Sequence, residues 1–171
     1  MIEAGVVDMC AREADEARLE RLFRTHHDRL YALARRLSQG SDEAQDIVQD
    51  TFVRVARRLR AVPDGRSSEE AWLVRVLVNL CRDRWRRARL RGPAPVTADP
   101  PYPSPEPAYQ ARVAVQAALA ELGARRRAIV VLRELEDVPA ADIGRLLGIS
   151  PITVRWHLLQ ARRQLARRLG C

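Results

Sequence analysis

The stretch from Gly92 to Ala111 reads GPAPVTADPPYPSPEPAYQA and holds seven of the chain's ten prolines. Proline fixes φ and lacks an amide proton, so this stretch is neither a regular helix nor a central strand. It reads as a polar, semi-extended linker over residues 92–111. A structureless loop of that length inside one compact domain is uncommon. The 171 residues are therefore expected to fold as two small lobes, 16–91 and 112–171.

Both lobes carry helical periodicity, and no alternating strand pattern is evident. The expected fold class is all-α: two small helical domains joined by the Pro-rich linker, the second containing a helix-turn-helix. In the first lobe a helix from about Glu16 to Leu37 aligns Leu19, Leu22, Phe23, Leu30, Leu33 and Leu37 on one stripe. A second helix starts near Ser41 and gathers Ala44, Ile47, Val48, Thr51 and Val55 on one face. A third begins at Ser67, where Ser67 and Glu70 have capping-box spacing, and runs to about Arg89. Its apolar side holds Leu73, Val74, Leu77, Leu80 and Cys81. The second lobe divides into helices at about 110–122, 125–136, 139–147 and 151–169.

Charge narrows the function classes. The formal charge is +8, and all 30 basic residues are arginine. A chain with no lysine has no Schiff-base lysine and no Walker-type phosphate lysine. Residues 112–171 hold 11 Arg against 5 acids, and residues 1–91 hold 19 Arg against 15. That balance points to a polyanionic partner, most economically nucleic acid. Cys10, Cys81 and Cys171 are widely spaced and odd in number, which fits a reducing compartment and no disulfide or zinc framework. His26, His27 and His157 lack metal-ligand spacing. No catalytic residue, metal or cofactor is expected. No apolar run approaches the ~20 residues that span a bilayer. Met1 to Cys10 carries no basic residue and is no secretory signal. The expectation is a cytoplasmic protein without membrane insertion.

Three motifs carry the chemistry. The first is the segment Ala141–Arg162. Gly148 suits a left-handed helix end, Ser150 an N-cap and Pro151 the first helical position. Val154, Leu158, Ala161 and Leu165 line one side of the last helix. Arg155, Trp156, Leu159, Arg163 and Arg167 lie on or near the other. Residues 151–169 contain five Arg and no acid. That arrangement suits entry into a DNA major groove; the alternative is a plain helical hairpin with a solvated face. Nothing local decides whether Trp156 serves a core or a partner.

The second motif is the end of the third helix, with six Arg and one Asp over residues 82–91. Trp72, Arg75, Val76, Asn79, Asp83 and Arg86 share a side away from the core. An aromatic, an amide and several Arg are the ingredients of single-strand binding. A solvated face explains the same pattern equally well. The third motif is Asp42, Glu43, Asp46, Gln49 and Asp50 on one side of the second helix. With no histidine nearby, it suits a basic protein partner better than acid–base chemistry.

In this order the motifs resemble the extracytoplasmic-function class of bacterial RNA polymerase sigma factors. The segments DEAQDIVQDTFVRV (Asp42–Val55) and AWLVRVLVNLCRDRWRR (Ala71–Arg87) are similar to that family's polymerase-binding and minus-ten helices. The segment LAELGARRRAIVVLRELEDVPAADIGRLLGISPITVRWHLLQARRQL (Leu119–Leu165) is similar to its minus-thirty-five helix-turn-helix. Gly123, Trp156, His157 and Gln160 depart from the family pattern, which bears on the upstream sequence read. The resemblance implies a non-enzymatic, dissociable specificity subunit. Residues 16–91 would be region two, and 112–171 region four. Asp46, Gln49, Asp50 and Phe52 would dock on RNA polymerase core. Arg75, Asn79, Arg82, Arg86 and Arg87 would meet the minus-ten element, with the 60–70 loop closing over a flipped base. Ser150, Ile152, Thr153, Arg155, Trp156, Arg162 and Arg163 would meet the minus-thirty-five element of promoter DNA. The linker would thread the polymerase, and an anti-sigma factor is an expected partner. An independent helix-turn-helix regulator and a protein-only adaptor are the other readings of the same motifs.

Overall fold

The computed structural model describes residues 3–38, 40–91 and 107–169, and every regular element among them is helical. The first lobe comprises α1 (Glu3–Leu37), α2 (Ser41–Arg57) and α3 (Arg66–Arg91), with one 3-10 turn at Leu59–Ala61. The second comprises α4 (Pro107–Ala120), α5 (Ala124–Val130), a π-helical turn (Val131–Leu135), α6 (Ala140–Leu147) and α7 (Pro151–Leu169).

Several boundaries differ from the sequence reading. Helix α1 begins at Glu3 rather than near Glu16. Positions 12–17 are exposed, so no apolar stripe announces them, and Ala, Arg and Glu extend the helix by intrinsic propensity. Gly92–Glu106 of the expected linker lie outside the described residues. Its last part, Pro107–Ala111, is helical and opens α4. Pro107 stands at the first helical position, where a missing amide proton costs nothing. Helix α3 starts at Arg66, so Ser67 lies inside the first turn, and Glu70 pairs with Arg29 of α1 instead of closing a capping box. The helix expected over 125–136 widens after Val130, and the Val138 amide donates to Leu132 O at 2.9 Å. The reversal uses Asp137 at φ 51°, a left-handed conformation that Asp tolerates better than most residues.

The core follows the helical faces. Leu22, Leu30, Leu33 and Leu37 of α1 meet Ala44, Ile47, Val48, Thr51 and Val55 of α2. Leu73, Val74, Leu77, Val78, Leu80 and Cys81 of α3 are also buried. Phe23 departs from the expected stripe. It is 45 % exposed, with its ring 4.8 Å from that of buried Phe52.

Polar contacts fix the first lobe's angles. Arg18 donates to Val62 O and to Asp64, both at 2.8 Å, tying α1 to the turn before α3. Buried Glu69 accepts two hydrogen bonds from Arg21, at 2.6 and 3.1 Å, with His26 Nε2 3.3 Å away.

In the second lobe, α6 and α7 both pack on each other, and α5 packs on α7. Gly148 ends α6 at φ 67°, and the Ser150 hydroxyl accepts the Thr153 amide at 3.1 Å, so cap, turn and Pro151 fall where the sequence puts them. Gly144 leaves room for the turn: a Cβ there would sit 2.7 Å from Ile149 O. The lobes do not stand apart. One continuous hydrophobic core runs through both, with α3 against α6 and α1 against α5.

The Glu69 cluster sets a pH dependence. Arg21's hydrogen bonds, helped by His26, hold the Glu69 carboxyl below its usual range despite the opposing effect of burial. The ionised form is thus favoured by folding. Its contribution is present above the ordinary carboxylate pKa of about 4.3 and is lost as pH falls through the lowered value. Glu69→Gln should destabilise the protein by about 1–3 kcal/mol at pH 7 in urea unfolding. Between pH 5 and pH 3 the variant should lose less stability than the parent; equal losses would contradict this role.

Candidate functional site

Three surfaces carry the residues singled out above, and the helices place each differently. The first is the open side of α7. Val154 and Ala161 are buried against the lobe, which turns Ile152, Arg155, Trp156, Leu159 and Arg163 outward. Ser150 and Thr153 satisfy each other, their hydroxyls 2.9 Å apart, and so hold the helix start in shape. Arg162 is tied to Glu134 at 2.7 Å. Trp156 packs edge-on against His157, with ring centroids 4.9 Å apart. Burial, then Arg125 and Arg126, lowers the His157 pKa and keeps the ring neutral. The helix N-terminus, free of acids in its first turn, adds a positive dipole end.

The second surface lies on α3. Arg75 is exposed, and Asn79 is half-buried on the rim of an open cleft of about 950 Å3 between the lobes. Glu70, Glu136, Asp142 and Arg145 share that cleft. One turn further, Arg82 Nη1 donates to Leu146 O of α6 at 2.9 Å, so the second lobe occupies this guanidinium. Arg86 and Arg87 remain exposed beyond the contact. Arg75, Asn79, Arg82 and Arg86 thus fall on one side of α3, with the middle of that set covered, while Arg87 lies about 100° further round the helix.

The third surface lies on α2. Asp42, Asp46, Gln49 and Asp50 are exposed along one side. Arg84 of α3 approaches two of them, at 2.8 Å from Asp50 and 3.9 Å from Asp46. Phe52 is not on this surface. It is 8 % exposed and belongs to the core, and the ring that reaches solvent beside it is Phe23 of α1. The helical stripe in α1 pointed inward for Phe23, so only the tertiary packing reveals this exchange. Arg84 was hidden in a run of arginines whose local sequence does not distinguish it.

Sequence reasoning also missed the contacts that close the lobes. Arg127, buried, donates to Ser38 O at 2.8 Å, to Leu37 O at 3.5 Å, and to Ala120 O and Leu122 O at 2.9 and 3.3 Å. Its neighbours Arg125 and Arg126 look identical in sequence. Glu136, with a side chain only 5 % exposed, lies 2.9 Å from Arg29 and 3.8 Å from Arg36. Burial raises its pKa, and the two arginines offset only part of that. Gln116 donates to Arg35 O at 2.6 Å.

Burial pushes the Cys81 thiol up to about 12, which leaves it unionised and unreactive. No group of three metal-ligating side chains occurs among the described residues. None of the described helices is long and apolar enough to cross a membrane.

Residues 22–91 match the model of Sigma-70 region 2, and residues 112–165 match that of Sigma-70 region 4. The ECF RNA polymerase sigma factor SigM of Mycobacterium tuberculosis is 35 % identical over 156 residues, covering 91 % of this chain and 79 % of that protein. The chain belongs to the ECF RNA polymerase sigma factors. The sigma factor SigE of Mycolicibacterium smegmatis is 38 % identical, over 94 % of this chain and 65 % of that one. The fold is also that of the Bartonella quintana sigma factor RpoE, solved with the anti-sigma factor NepR. That likeness has a TM-score of 0.69 at 23 % identity, over 88 % of this chain and 96 % of the other. As a sigma factor, the protein is a promoter-specificity subunit for transcription initiation and not an enzyme.

In this sigma factor the lobes close through charges that can be reversed. Glu136→Lys would set a cation against Arg29 and Arg36 in a confined site. Small-angle scattering should then give a larger radius of gyration than the parent's, with helix content by circular dichroism kept. An unchanged radius would mean that the apolar contacts alone hold the lobes together.

Proposed function

We propose that the first lobe, residues 16–91, docks on RNA polymerase core through Asp46, Gln49 and Asp50. Phe52 contributes indirectly by seating the exposed Phe23 ring. Arg75, Asn79, Arg82, Arg86 and Arg87 then take up the minus-ten element as it opens, with the turn over 60–70 beside the displaced base. The second lobe, residues 112–171, reads the minus-thirty-five duplex through Ile152, Arg155, Trp156, Arg162 and Arg163. Ser150 and Thr153 fix the start of the reading helix. The protein works in the cytoplasm, and an anti-sigma factor is its natural inhibitor. The latter part of this reading is supported by the Bartonella homologue, whose fold is shared and which was solved with such a factor.

The observation that carries the proposal is the unequal covering of the two nucleic-acid faces. The α7 face is open to solvent, while Arg82 and Asn79 on α3 lie against the second lobe. A chain that reads duplex first and holds a melted strand later needs that order of access. Docking on polymerase is inferred to part the lobes. Parting is affordable because the closed contact is imperfect: the buried Nε atoms of Arg82 and Arg127 find no hydrogen-bond partner among the described residues.

Asn79 tests the reading. Its amide donates and accepts at once, as the edge of an unstacked base requires. Unstacking costs a few kcal/mol, so the captured base needs such partners. Losing one pair of hydrogen bonds, at about 1.4 kcal/mol, should lower open-complex formation about tenfold. Holoenzyme carrying Asn79→Ala should therefore show reduced permanganate reactivity of promoter thymines while its upstream footprint persists. Normal opening by this variant would remove Asn79 from the proposed face.

A further inference from the structure

Ile152, Trp156 and Leu159 stand one turn apart along the open side of α7, at 74 %, 51 % and 47 % exposure. The lobe's own packing does not use them, because Val154 and Ala161 supply the buried side of the helix. Contact with the first lobe does not use them either. It runs through Gln116, Arg127, Glu136 and Leu146, on other elements. The row is thus left for a partner, and its setting restricts what that partner is.

Arg155 borders the row on one side, Arg163 continues it one turn further, and α7 carries no acidic residue. An occupant must be apolar along a line and anionic beside it and beyond its end. The row also begins in the first turn, the part of a helix-turn-helix reading helix that comes closest to base edges. From Ile152 to Leu159 the helix rises about 10 Å, which matches about three base pairs. In the major groove, one base pair presents an apolar group between two phosphate backbones: the C5-methyl of thymine. An amphipathic protein helix would match the apolar line but would need its own acids to answer the arginines.

We propose that Ile152 and Trp156 read thymine methyl groups in the upstream promoter duplex. The inference rests on the reading that the second lobe binds that duplex. Ile152 is placed for the base nearest the helix start, and Trp156 for a base one step further along. The edge-on packing of Trp156 on His157 holds the indole in one orientation, so it offers a fixed apolar surface. Neutral His157 adds no charge beside it.

The test uses holoenzyme assembled from the full chain and bacterial core polymerase. A promoter library randomised over the upstream element yields the preferred duplex. Each thymine of that element is then replaced by deoxyuridine, which deletes only the methyl group. The expected result is about fourfold weaker binding at one or two adjacent thymines, the transfer value of one buried methyl-sized group each. Holoenzymes carrying Trp156→Ser or Ile152→Ser should each lose the penalty at one of those positions and should select a different base there. Both side chains are exposed, and the two variants test the idea independently. The proposal is overturned if deoxyuridine is silent at every thymine. It is also overturned if the penalty survives both substitutions, which would leave the row to a protein partner. Failure of the parent holoenzyme to select any upstream sequence would instead remove the duplex reading on which the proposal rests.

Discussion

Helix ends leave carbonyls without partners, and in this protein one guanidinium collects those of two helices. The carbonyls of Leu37 and Ser38 close α1, and those of Ala120 and Leu122 close α4. Arg127 of α5 reaches all four, so the end of the first lobe's leading helix is satisfied by the second lobe. Burial lowers the pKa of this group, but an arginine remains charged there. Its hydrogen bonds to Leu37 O and Ser38 O fix where α5 sits on α1 while the lobes are closed. In the same closed arrangement α6 packs on α3 and covers Arg82.

On the proposed reading, the closed arrangement separates two jobs that the chain performs at a promoter. Duplex reading needs only the side of α7 that faces away from the first lobe. Capture of an opened strand needs the side of α3 that faces α6. The interface is an open, charged cleft around Glu70, Glu136, Asp142 and Arg145, and α5 packs on α1 where Arg127 is buried. The hydrophobic core is continuous across the lobes, and this charged cleft lies at its margin. In the proposed opening, polymerase would compete with the cleft's charged rim, and the unpaired buried Nε atoms of Arg82 and Arg127 would lower the cost.

Much of this was legible in the residues. The faces of α2 and α3 follow from the spacing of Ala44, Ile47, Val48, Thr51 and Val55, and of Leu73, Leu77 and Cys81, because a periodic apolar row has one way to be buried. The turn at Gly148–Pro151 is local chemistry, and local chemistry reads directly. What escaped depends on neighbours distant in sequence. Phe23 sits in a helical stripe yet faces outward, because Phe52 takes the space beneath it. Glu70 has the spacing of a cap but answers Arg29, a residue of another helix. Arg127 is one of three successive arginines, and only the docking of α5 on α1 selects it. The early part of α1 escaped for the opposite reason: positions 12–17 are exposed, so burial leaves no pattern there.

The central claim is that closure hides the strand-capturing side of α3 and that polymerase opens it. The direct measurement is the distance between spin labels on α2 and α7, placed at the exposed positions Arg54 and Arg167 in the full chain. Cys10 and Cys171 are replaced by serine for this purpose, and Cys81 stays unlabelled because it is buried. A single distance is expected in the free protein and a longer one in holoenzyme. The same distance in both states would contradict the claim.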